Sequence, residues 1–126
     1  MLGTMDIIAF VPTRNREKAR PFYEKTIGLR FLSDDQFALV FDAHGRMVRV
    51  VDVSSVPGFE PAPFTILGWT VSDIVKVVRD LQLKGVKFER YSGMQQDKLG
   101  VWNSPSGAKV VWFKDPDGNV LSLTES

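Results

Sequence analysis

The run Lys109-Val110-Val111-Trp112-Phe113-Lys114-Asp115-Pro116-Asp117-Gly118-Asn119-Val120-Leu121-Ser122-Leu123 organises the chain. Two apolar segments flank Asp115-Pro116-Asp117-Gly118-Asn119, whose composition is that of a reversing turn. Pro116 pre-sets φ, Asp can bond its own backbone, and Gly118 reaches positive φ without steric cost. The run therefore reads as a β-hairpin. Alternation along its second arm places Val120, Ser122 and Thr124 on one side and Leu121 and Leu123 on the other. A polar residue on an otherwise apolar strand makes Ser122 a candidate for function.

Outward from this hairpin, the 126 residues suffice for one compact unit or two small fused ones. Sixteen Lys and Arg (16) against 15 Asp and Glu give a formal charge of +1, so neither a nucleic-acid nor a membrane-surface partner is implied. Without cysteine there is no disulfide, thiolate metal site or cysteine nucleophile. Met1-Leu2-Gly3-Thr4-Met5 has neither the basic segment nor the apolar core of a signal peptide, and the apolar runs are too short to span a bilayer. A cytoplasmic location is the default expectation. The single histidine, His44, lies in the turn-like Asp42-Ala43-His44-Gly45-Arg46 and reads as a solvated turn residue.

In chain order, Asp6 to Val11 reads as a buried strand stopped by Pro12. Asn15 caps a helix running to about Ile27, with Gly28 as its stop, and Pro21 should bend it. Strands follow at 29–32, 36–42 and 47–53. The linker 54–63 holds three prolines and a glycine. The order then repeats. Phe64 to Val71 is a strand, and Ser72 caps a helix that ends at Lys84-Gly85. Val86 to Tyr91 is a strand, Ser92 to Gly100 a mobile polar loop, and Lys109 to Thr124 the closing hairpin. The reading is α+β: a first β-α-β-β-β module over 5–53 and a second over 64–124.

Three local motifs sharpen this. Ala19-Arg20-Pro21-Phe22-Tyr23-Glu24-Lys25-Thr26-Ile27-Gly28-Leu29 is similar to a helix of the form Ala-x-x-Phe-Tyr-x-x-x-Leu-Gly-Leu; Val71-Ser72-Asp73-Ile74 opens the second helix; Trp112 to Asn119 forms the third. In this order, over Asp6 to Thr124, they resemble the vicinal oxygen chelate superfamily of glyoxalases, bleomycin-resistance proteins and extradiol dioxygenases. The resemblance implies one domain over 1–126, a curved mixed sheet with helices on its convex side, and a ligand cavity on its concave side. It also implies a homodimer.

In metal-dependent members of that family, His or Glu side chains on the first and last strands of each module hold the cation. The corresponding places here are Ile8, Arg49, Ile66 and Ser122. They offer no imidazole and no carboxylate, and a guanidinium repels a cation. The expectation is a cavity with no metal and no other cofactor. Arg49, if it faces inward, suits a carboxylate or phosphate; otherwise it sits at the rim and pairs with Asp52 or another acid. Ser122 and Thr70 add hydroxyls, and Ile8, Phe10 and Ile66 an apolar wall. Trp102 can touch a ligand, whereas Trp69 and Trp112 read as core. Met94, Gln95 and Gln96 form either a lid or a plain solvated loop.

Two functions follow. One is a small-molecule-binding protein with a metal-free cavity. The other is a glyoxalase-like lyase or dioxygenase with a displaced metal site, which would need His44, Asp42, Asp52 or Glu89 at the cavity. A purely structural dimerisation module has no positive support.

Overall fold

The computed structural model describes residues 1–126, which separate into two compact units, Met1–Glu60 and Pro61–Ser126. In the first, β1 (Ile8–Thr13) leads through α1 (Arg16–Pro21) to β2 (Arg30–Asp34), β3 (Ala38–Ala43) and β4 (Arg46–Asp52). The sheet order is β1-β4-β3-β2, with β1 parallel to β4 and the other pairs antiparallel. Asn15 caps α1 as expected, its side chain accepting from the Lys18 N–H at 3.2 Å. Pro21 leaves its mark without ending the helix. From Phe22 to Thr26 the turn widens to π geometry, and Ile27 N–H reaches the Phe22 carbonyl at 2.9 Å. The chain thus continues past a residue that has no N–H to donate. His44 and Gly45, both at positive φ, form the two-residue β3–β4 turn, so His44 is the exposed turn residue its sequence suggests.

In the second unit, β5 (Thr65–Thr70) leads through α2 (Ile74–Leu83) to β6 (Trp102–Asn103), β7 (Lys109–Lys114) and β8 (Val120–Glu125). Its sheet has the order β5-β8-β7-β6, again with the first and last strands parallel. Each unit is thus a β-α-β-β-β module, and the class is α+β. The cap of α2 is Asp73 rather than Ser72. The Asp73 carboxylate accepts from Lys76 N–H at 3.1 Å, and its charge also suits the positive end of the helix.

The expected strand over Val86–Tyr91 does not form. That segment makes one bridge, Phe88 to Phe113, and the third strand is the short β6. The cause is Gln96, whose amide donates to the Glu89 and Gly100 carbonyls at 2.9 and 2.7 Å and accepts from Tyr91 N–H at 2.9 Å. Backbone groups that a neighbouring strand would satisfy are thus taken by a side chain. The same web runs through the polar loop 92–100. Asp97 accepts from Leu99 and Val101 N–H, and Arg90 donates to the Asp97 and Lys98 carbonyls.

The closing hairpin follows its sequence closely. Asp115, only 6% exposed, accepts from the N–H groups of Asp117 and Asn119 through one oxygen and from the Asn119 amide through the other.

Each sheet has one apolar face under its helix. In the first unit Val11, Leu39, Phe41, Val48 and Val50 are buried with Ala19 and Tyr23 of the helical segment. In the second, Val111, Phe113, Leu121 and Leu123 are buried with Ile74, Val78 and Leu81 of α2. Removing these side chains from water is the main stabilising contribution, at about 25 cal/mol per Å² of apolar surface. The opposite faces, called open below, carry the candidate residues.

Candidate functional site

On the first unit's open face, register pairs Ile8 with Met47, Phe10 with Arg49 and Pro12 with Val51. Ile8, Phe10 and Arg49 therefore share one face, and Phe10 is 61% exposed. The row-mate of Arg49 on β1 is Phe10, two residues beyond the counted position Ile8. Arg49 has an acid partner, which is Asp35 rather than Asp52: its Nη2 lies 2.6 Å from Asp35 Oδ2. That hydrogen bond, together with those from the Ala38 and Phe37 N–H groups, holds the Asp35 carboxyl below the usual carboxylate range.

On the second unit's open face, one row runs Gly68–Ser122–Trp112 across β5, β8 and β7. The next runs Thr70–Thr124–Val110–Trp102. Ser122, Thr70 and Trp102 thus share this face, as the sequence suggests. Ile66 sits at a bulge between Thr65 and Leu67, where the register of β5 slips, and has no row-mate on β8. The residue opposite Ser122 is Gly68 instead. A Cβ at Gly68 would fall 2.7 Å from Ser122 Oγ, so only glycine leaves the Ser122 hydroxyl its place.

Trp69 pairs with Leu123 on the helix side and is core-facing, as expected. Trp112 is the correction. It is half-buried on the open face beside Ser122, because five turn residues set Lys114 opposite Val120 and so Trp112 opposite Ser122. That register was available from the hairpin itself.

Around Trp112 stand two further aromatic rings. Tyr91 meets it edge-on with centroids 5.5 Å apart, and Trp102 is tilted against it at 6.1 Å. Burial, with the nearby Glu89 charge, pushes the Tyr91 phenol up, so it stays protonated at neutral pH. Beside this wall lies a recess of about 320 Å³ lined by Pro61, Pro63, Tyr91, Lys114, Gly118 and Val120. Lys114 Nζ stands 3.6 Å from Glu89 Oε1. Neither Gly68, Tyr91 nor Lys114 was singled out from sequence. Gly68 looks like any strand glycine until its close approach is measured. The place of Tyr91 depends on the Gln96 hydrogen bonds.

The donor chemistry does not fit a divalent cation at the family's usual positions. Ile8, Arg49, Ile66 and Ser122 supply two alkyl groups, a cation engaged with Asp35, and one hydroxyl. Neither unit brings together three His, Asp or Glu side chains that could hold a metal ion. The acids of a displaced site have other work. Asp52 binds Ser54, whose hydroxyl and N–H with the Arg16 charge lower its carboxyl, and Glu89 stands beside the Lys114 ammonium, whose charge repels a cation. Asp42 approaches the Gly45 N–H in the β3–β4 turn.

The Glyoxalase/Bleomycin resistance protein/Dioxygenase superfamily model matches residues 4–123. The chain belongs to this superfamily. A superfamily member from Sphaerobacter thermophilus is 25% identical, with 100% of both chains covered and a TM-score of 0.78. TnmS3, an antibiotic binding protein from Streptomyces, is 26% identical over 99% of this chain and 98% of its own, with a TM-score of 0.72. A lactoylglutathione lyase from Agrobacterium tumefaciens shares the fold at 16% identity, covering 98% and 94% with a TM-score of 0.71. No curated protein matches the sequence. No helix is long and apolar enough to cross a membrane.

Proposed function

We propose that this superfamily member binds a small organic molecule without a metal ion, on the open face of its second sheet. The observation that carries the reading is the row Gly68–Ser122–Trp112 flanked by Tyr91 and Trp102. It combines a flat floor, one hydroxyl and an aromatic wall, a mostly apolar surface with a few polar groups, as ligand sites usually are. Thr70 and Ile66 extend the floor. The 26% identity to an antibiotic binding protein over nearly the full length of both chains supports binding. The lyase at 16% identity supports the fold alone. The protein is proposed to act in the cytoplasm as a homodimer, which would cover apolar side chains such as Phe10 that the single chain leaves in water.

Thermal-shift screening of a metabolite and antibiotic library tests the reading. A ligand at a hundred times its Kd stabilises the folded state by about 2.7 kcal/mol, well within reach of the method. Elemental analysis of protein purified without chelator should find far less than one divalent metal per chain. Stoichiometric metal, or a full library without a single hit, would overturn the proposal. Light scattering in solution tests the dimer.

A further inference from the structure

We infer that the site takes a flat aromatic acid, its rings over Gly68 and Ser122 against Trp112 and its carboxylate at Lys114. This rests on the small-molecule reading above and adds the ligand's chemical class. Three observations converge. The floor is low, since Gly68 has no side chain and Ser122 only a hydroxymethyl group, so a planar ring can lie close to the backbone. The wall is aromatic on one side only, with Trp112 supported by Tyr91 and Trp102; stacked or edge-on rings gain energy beyond simple burial.

The third observation is charge. Lys114 pairs with Val120, one row beyond Ser122 on the same face. Two residues along a strand advance about 6.8 Å, a span suited to a fused two-ring acid lying from Ser122 towards Lys114. The Lys114 ammonium is 3.6 Å from Glu89, beyond hydrogen-bond length, so its donors are available to a second anion. Two cations of the first unit are more tightly held. Arg49 is 2.6 Å from Asp35, and Arg16, beside a recess of about 420 Å³ in the first unit, is hydrogen-bonded to Asp34. Tyr91 lines the same recess as Lys114 and can offer its hydroxyl as a second donor for the acid.

The test is isothermal titration calorimetry with 2-naphthoate, 2-naphthalenemethanol and cyclohexanecarboxylate. Wild type, Lys114→Met and Lys109→Met are compared, with melting curves confirming that each variant folds. Lys109 sits on the same strand facing the other way, so it controls for net charge. Naphthoate should bind more tightly than either other probe, and Lys114→Met should weaken it about tenfold or more, the worth of a charge-assisted hydrogen bond. Lys109→Met should leave it unchanged. Equal affinity for the acid and the alcohol, or an unaffected Lys114→Met, overturns the inference. If no probe binds while unrelated library compounds do, the aromatic-acid class is refuted and the binding function stands. If nothing binds at all, both fall.

Discussion

Gly68→Ala is the most discriminating single change on the open face. A methyl group there would meet Ser122 Oγ at 2.7 Å and the Ser122 carbonyl oxygen at 3.3 Å. The first distance is far inside van der Waals contact, so the hydroxyl must rotate away or the strands must part. Overpacking of this kind costs about 1–3 kcal/mol. Against this stands a gain of about 0.5–1 kcal/mol for replacing a glycine within a strand, which loses more backbone freedom on folding. The net expectation is destabilisation by about 1 kcal/mol. Ser122→Ala alone removes a small hydroxyl and should be close to neutral.

The double variant separates the contact from everything else. With Oγ absent, the closest obstacle to a Cβ at position 68 is gone and only the 3.3 Å carbonyl contact remains. Gly68→Ala in the Ser122→Ala background should therefore be neutral or stabilising. The coupling between the two sites should be about 1–2 kcal/mol in the favourable direction. Urea denaturation of the four proteins, with unchanged m-values, measures it. Strict additivity would refute the close approach of β5 to Ser122 and with it the low floor.

Asp115→Ala should cost about 3 kcal/mol by urea denaturation, because it strips acceptors from the N–H groups of Asp117 and Asn119 in a buried turn. Gln96→Leu should cost about 2 kcal/mol and speed hydrogen exchange at Tyr91, whose N–H the Gln96 carbonyl oxygen accepts. Arg49→Met should change stability little at neutral pH, since the pair with Asp35 is partly exposed and screened by solvent. Its effect is pH-dependent in a definite direction. Asp35 has a folded-state pKa below its unfolded value of about 3.9, so the pair stabilises fully above that value and less as pH falls through the folded one. Acid titration of stability should thus be shallower in Arg49→Met than in wild type; parallel curves would exclude the pair as the cause.

Element order was legible because its signals are local. The Asn15 cap, the His44-Gly45 turn and the Asp115–Asn119 turn each lie within a few residues. What the sequence hid was set by side chains acting across distance or by a slip of register. Gln96 reaches back to Glu89 and Tyr91, and no propensity of residues 86–91 betrays that their backbone groups are already taken. The bulge at Ile66 shifts β5 by one residue, so counting from the helix reaches a position without a row-mate. Arg49 pairs with an acid, but that acid, Asp35, lies in the β2–β3 connection rather than beside it on β4. Trp112 differs in kind. Its face follows from the hairpin register, which its reading as core leaves unused.

The open face of the second sheet also shows why metal binding and flat-ring binding make opposite demands on the same strands. A cation needs three or four long donors converging on a point above the sheet. A planar ring needs that space empty, with bulk confined to one side. Gly68 and Ser122 meet the second demand and cannot meet the first, since neither reaches above the sheet with a charged or imidazole donor. Glycine inside a strand is otherwise a liability to stability, so its presence opposite Ser122 calls for a compensating use. The Gly68→Ala/Ser122→Ala protein puts the point to the test. It should fold at least as well as wild type and yet bind a flat ligand more weakly, because the floor is higher and the hydroxyl is gone. A double variant that binds as well as wild type would mean that the ring lies elsewhere.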